Sequence, residues 1–109
     1  MIALALAIVA LLPAPARVQV GADEYGYSLS RQSIKAGPAL VQLVNFGEDE
    51  HDLRLRRAGG TRTYVVGKVR PGRTTELEAR FLAGRFTLWC SLGDHRRRGM
   101  SATLVVQPS

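Results

Sequence analysis

The sequence predicts an all-β domain, an antiparallel Greek-key β-sandwich of about seven to eight strands. Apolar and polar residues alternate at period two in runs of four to eight, the spacing of a strand with one buried face. Gly- and Pro-centred turns separate these runs at regular intervals, and no stretch repeats apolar residues at helical spacing over the length of a helix. With 109 residues there is enough chain for one hydrophobic core and too little for two.

The elements follow in order. Ile2 to Leu12 is an unbroken apolar run, followed by Pro13 and the small residues Ala14-Pro15-Ala16. That pattern predicts an export signal over residues 1–16, cleaved before Arg17, although no Lys or Arg precedes the run; an uncleaved membrane anchor and a buried first strand are the alternatives. The run is far shorter than the roughly 20 residues that span a bilayer. Residues 17–109 then form the folded domain. Arg17–Val20 is a short strand, and Glu24–Ser30 a second, with Tyr25, Tyr27 and Leu29 on one face. Lys35-Ala36-Gly37-Pro38 turns the chain into Ala39–Phe46, rich in Val and Leu, which Asn45-Phe46-Gly47 closes. The acidic loop Glu48-Asp49-Glu50 is read as solvated and leads to His51.

Beyond it, Leu53 and Leu55 alternate with Arg54 and Arg56 until Ala58-Gly59-Gly60 breaks the strand. Thr63–Val69 is β-branched, and Arg70-Pro71-Gly72-Arg73 is a strong turn signal. Thr74–Phe81, Arg85–Cys90 and Ser101–Val106 complete the set. Leu43, Leu53, Val66, Leu77, Phe86, Leu88, Leu104 and Val106 are the expected core, each contributing about 1.5–3 kcal/mol on leaving water. Trp89 is expected as a large side chain in the core or between the sheets.

The net charge of +6 comes mostly from arginine and favours anionic partners. The single cysteine excludes an internal disulfide. In an oxidising compartment a lone thiol is a liability unless it is bridged to another chain, buried, or held by a metal. Its surroundings favour the metal. The chain's two histidines and its only methionine beyond the first residue are His51, His95 and Met100, and the last two follow Cys90 in one segment, Cys90-Ser91-Leu92-Gly93-Asp94-His95-Arg96-Arg97-Arg98-Gly99-Met100. Two imidazoles, a thiolate and a weak thioether are the ligand set of a blue-copper electron-transfer site. Zinc would also take Cys and His, but a thioether is a poor zinc ligand.

On these residues the domain resembles the cupredoxins, the small blue-copper β-sandwiches, over essentially all of residues 17–109. In that family the first histidine begins a strand after an Asn/Gly-containing loop, here Asn45-Phe46-Gly47 and then His51. The other three ligands follow as Cys, His, Met on the loop between the last two strands. The long spacing here is similar to the rusticyanin and sulfocyanin branches, and the set as a whole is plastocyanin-like. Many relatives carry a Pro-Gly pair before the loop histidine, where this chain has Gly93-Asp94. The resemblance implies one copper ion cycling between Cu(I) and Cu(II), held by His51, Cys90, His95 and Met100. It also implies that Asp52, after the first histidine, ties its strand to the backbone at Ser91. Asp94 could pair with a neighbouring arginine.

The function implied is that of an exported one-electron carrier in the periplasm or outside the cell, with copper storage or delivery as the alternative. Arg96, Arg97 and Arg98 are expected to steer an acidic redox partner, such as a membrane oxidase or reductase, to the site; anionic lipid is the other candidate. Neither nucleic acid nor a small-molecule substrate is expected. Enzymes that use several copper centres need further histidines, and the sequence has two in all. No Ser-His-Asp set, Gly-rich phosphate loop or paired-carboxylate site stands out.

Overall fold

The computed structural model describes residues 14–109, which form nine strands: β1 (Ala16–Asp23), β2 (Gly26–Leu29), β3 (Ser33–Lys35), β4 (Gly37–Asn45), β5 (His51–Arg57), β6 (Thr63–Val69), β7 (Thr74–Phe81), β8 (Gly84–Trp89) and β9 (Ser101–Gln107). Most of the expected signal segment lies outside the described residues, and Ala16, its last residue, opens β1.

One sheet has the order β2-β1-β4-β7 and the other β3-β9-β8-β5-β6. Period-two alternation builds their facing sides. In β4, Ala39, Val41 and Leu43 point inward between half-covered residues, and Phe86 and Leu88 do the same in β8. These side chains merge with Val18, Val20, Leu53, Leu55, Val66, Leu104 and Val106 into one core. Tyr64, Phe81 and Phe86 pack against one another at 4.8–6.4 Å between ring centroids, with Tyr64 edge-on to Phe81.

The fold class stands, with differences of detail. The sheets are mixed rather than wholly antiparallel, since β1 pairs β4 and β3 pairs β9 in parallel. The strand β3 was not foreseen because three residues carry no readable alternation. Of the expected core, Leu77 alone is only half-covered. Its strand β7 is a sheet edge, where exposed Glu76, Glu78 and Arg80 guard against strand addition. Trp89 is a correction: it continues the outward parity of Arg85 and Thr87, so it lies half-exposed on the outer face. The stretch expected as a strand from Glu24 is another. Hydrogen bonding joins β1 to β2 up to the Asp23–Gly26 pair, leaving Glu24 and Tyr25 as the turn.

Four connections meet at one end of the sandwich. Ala22 pairs with Asn45, the Asn45 backbone N–H donates to Arg73, His51 pairs with Val69, and Trp89 pairs with Ser101. The β1–β2 turn, the β4–β5 loop, the β6–β7 turn and the β8–β9 loop therefore face each other across a small space.

Candidate metal centre

Among the described residues, Asn45, His51 and Asp52 are the buried polar or charged side chains, and all three lie at this end of the molecule. Burying polar groups costs free energy unless they are paired, so such a cluster marks a built site. His51, Asp52 and Leu53 are consecutive buried residues. They lie beside an irregularity in the β5–β6 ladder: His51 pairs with Val69, but Leu53 pairs with Val66, which places the extra residue on β6. A bulge of this kind re-aims side chains.

Two residues secure the approach to His51. The Asn45 amide donates to the backbone carbonyls of Asp49 (2.8 Å) and Val69 (2.9 Å) and accepts from the Gly47 N–H (2.8 Å). Glu24, in the β1–β2 turn, accepts from the backbone N–H groups of Glu48 (2.9 Å) and Asp49 (2.7 Å), and its Oε1 lies 2.9 Å from His51 Nε2. These bonds, that from Asp49 first, hold the Glu24 carboxyl down at about 2. Gly47 makes room for this carboxylate, since a Cβ there would collide with Oε1.

Glu24 was not among the residues expected at the site. Its only signal was a carboxylate beside Asp23 ahead of two tyrosines, which alternation absorbed into a strand.

The β8–β9 loop closes on its own backbone. Cys90 N–H donates to Met100, Met100 N–H to His95, and His95 N–H to Leu92, at 3.1–3.2 Å. Gly93 adopts φ +49°, the left-handed conformation that supplies the turn without a Pro-Gly pair. Met100 is fully buried and Cys90 nearly so. Asp52 reaches across from β5 to the residue after Cys90: its carboxylate accepts from the Ser91 N–H (2.7 Å) and from the Ser91 hydroxyl. Tyr27 donates its hydroxyl to the Asp52 carbonyl (2.5 Å), and burial pushes that phenol well above its ordinary range. The Asp52–Ser91 tie expected from the sequence is thus present in atomic detail.

His51, Cys90 and His95 offer donor atoms that all lie within 4.8 Å of one another. Cys90 Sγ is 3.5 Å from His95 Nδ1, and the two imidazole rings are 5.0 Å apart. His51 Nδ1 is buried and has no hydrogen-bond partner among the described residues, while its other nitrogen faces Glu24. A buried ring nitrogen left unpaired is costly; coordination to an ion would satisfy it. Burial raises the Cys90 thiol above its usual range; a bound cation reverses this by taking the thiolate. The residues present therefore fit one soft ion. Met100 sits beside them through its backbone bonds to Cys90 and His95.

The outer surface is mixed in charge. The His95 side chain is only 13 % exposed, and its Nε2 is 3.7 Å from an Asp49 carboxylate oxygen. The Tyr25 ring lies 4.9 Å from the His95 ring. Arg96, Arg97 and Arg98 are exposed. Arg96 lies over Trp89 (4.6 Å), and Arg98 lies over Tyr25 (5.0 Å) and pairs with Asp94 (2.9 Å).

No protein-family model and no curated protein sequence matches the chain. Solved structures do. Auracyanin B superposes with a TM-score of 0.71 at 17 % identity, over 90 % of this chain and 94 % of that one. The auracyanin of Roseiflexus castenholzii gives 0.66 at 14 % identity, over 88 % of this chain and 100 % of that one. Auracyanin A, a blue copper protein of Chloroflexus aurantiacus, gives 0.66 at 15 % identity, over 86 % and 100 %. The chain has the cupredoxin fold.

Proposed function

We propose that this cupredoxin-fold domain is a type 1 blue-copper protein that carries single electrons, holding one ion at His51, Cys90, His95 and Met100. The observation that carries this reading is the convergence of a thiol and two imidazoles within 4.8 Å, with a buried ring nitrogen left unpaired. When bound, copper would supply the one-electron couple Cu(II) + e⁻ → Cu(I). The chain's own residues do the rest.

Cys90, as thiolate, would supply the strong ligand and a covalent route for the electron into the protein. His51 and His95 are set by Glu24 and by the loop backbone, so neither imidazole needs to move as the charge changes. Met100 would add a weak thioether donor favouring the reduced state. The buried Cys90, Met100 and His51 keep bulk water from the ion, and limited solvent rearrangement favours fast transfer. The same enclosure argues against storage or delivery, which needs an exposed route for the metal to leave.

We further propose that the protein is exported, on the strength of the apolar run and small-residue stretch before Arg17. Its partner would be an acidic redox protein, such as a membrane oxidase or reductase, that meets the Arg96-Arg97-Arg98 flank. N-terminal sequencing of the mature protein from outside the cytoplasmic membrane should begin at Arg17; an intact leader there would refute cleavage.

The decisive experiment is addition of Cu(II) to the purified protein. An intense blue charge-transfer band that is absent in Cys90→Ser is expected. A colourless or merely pale complex would refute the assignment. For the carrier role, rapid self-exchange between oxidised and reduced forms is expected, whereas ready loss of Cu(I) to a small chelator would favour delivery. Electron-transfer rates to an acidic partner should fall with added salt and on removing charge at the three arginines.

A further inference from the structure

We propose that Glu24 is a positioning residue of the metal centre: its carboxylate, seated in the β4–β5 loop, orients His51 and lowers the reduction potential of the bound copper. This rests on the copper reading above. Glu24 is no stray surface acid. Its Oε1 is shared by the backbone N–H groups of Glu48 and Asp49 and by His51 Nε2, all within 2.7–2.9 Å. Oε2 takes a second contact from Glu48 N–H at 3.1 Å. The receiving loop is shaped for it, because only a residue without Cβ at position 47 leaves space for the carboxyl group. Asn45 braces that loop from the core side. Two independent features, the paired N–H groups and the gap at Gly47, therefore fix the same carboxylate against the same imidazole.

Two consequences follow from chemistry. A carboxylate on Nε2 keeps the proton on that nitrogen and turns the unpaired Nδ1 of His51 toward Cys90 and His95. It also makes the imidazole a stronger donor. Both this and the fixed negative charge favour Cu(II), which carries one more positive charge than Cu(I). The two effects act in one direction, and both lower the potential. The next residue of the turn, Tyr25, packs against the other imidazole. The β1–β2 turn thus backs both histidines and forms a third segment of the site beside the β4–β5 and β8–β9 loops.

The test uses copper-loaded full-length protein and four variants, with a chemical mediator supplying the electron. Glu24→Gln preserves shape and can keep the contacts of Oε1 while removing the charge. It should stay blue, remain folded in the copper-free form, and shift toward Cu(I) by about tenfold, which is about +59 mV for a one-electron couple. Gly47→Ala should raise the potential likewise, by expelling the untouched carboxylate. Glu24→Ala should bind copper about 10–100-fold more weakly, and adding Gly47→Ala to it should change the potential no further.

The proposal is overturned if Glu24→Gln is blue with an unchanged or lower potential. It is equally overturned if Gly47→Ala shifts the potential as much without Glu24 as with it. A wild-type protein that does not turn blue would remove the copper reading and this inference together, whereas a blue wild type with an inert Glu24 would remove only the second.

Discussion

Replacing Asp52 by alanine tests whether the bond between β5 and the cysteine segment holds this end of the sandwich together. Asp52 is 2 % exposed and accepts from both the backbone N–H and the hydroxyl of Ser91. Hydrogen bonds to an ionised acceptor contribute about 1.5–3 kcal/mol each. Alanine removes both and leaves the Ser91 N–H without its acceptor, but it also relieves the cost of keeping a carboxylate out of water. The net expectation is a loss of about 2–4 kcal/mol, a large share of the roughly 5–15 kcal/mol that stabilises a domain of this size.

Urea unfolding of the copper-free protein, followed by Trp89 fluorescence, is the assay. The midpoint should fall by about 1–3 M with the slope unchanged. Asp52→Asn should lose less, because its carbonyl can still accept from the Ser91 N–H. Ser91→Ala should also lose less, about 1.5 kcal/mol, since only the hydroxyl contact to the carboxylate goes. Coupling between Asp52→Ala and Ser91→Ala should be clearly non-zero. A loss under about 1 kcal/mol for Asp52→Ala would refute the reasoning.

Met100→Gln should lower the reduction potential while the protein stays coloured, because an amide oxygen is a harder donor than a thioether and favours Cu(II); a raised potential in a redox titration would count against axial ligation by Met100. Copper in thousandfold excess over its Kd should stabilise the wild type by about 4 kcal/mol in a thermal melt and Cys90→Ser far less. Phe81→Ala, which removes the fully buried ring between Tyr64 and Phe86, should cost about 3–5 kcal/mol in urea without changing the absorption spectrum of loaded protein that remains folded.

The donor atoms were legible in the sequence because they are chemically scarce. Two histidines, one cysteine and one internal methionine leave few ways to assemble a soft site, and strand alternation around Leu53, Phe86 and Leu104 exposed the sandwich that would assemble it. What stayed hidden depends on chain segments meeting in space. Glu24 and His51 are far apart in sequence, and nothing local marks a carboxylate that two backbone N–H groups will capture. The bulge beside His51 is a property of β5 and β6 together, so no window along β5 alone reveals it. Trp89 misled for a different reason. Its size suggested burial, while its parity with Arg85 and Thr87 placed it outside, under the guanidinium of Arg96.

The backbone–backbone hydrogen bonds of the loop that joins the last two strands close within the loop itself. Its backbone closes between Cys90, His95 and Met100, and it leaves the sandwich only where the β8–β9 ladder ends at Trp89 and Ser101. Such an insert can be lengthened, shortened or recharged as a unit while the layers beneath keep their packing. On the electron-carrier function proposed above, variation in potential and in partner choice would accumulate in this one short segment, with His51 as the stationary half of the clasp.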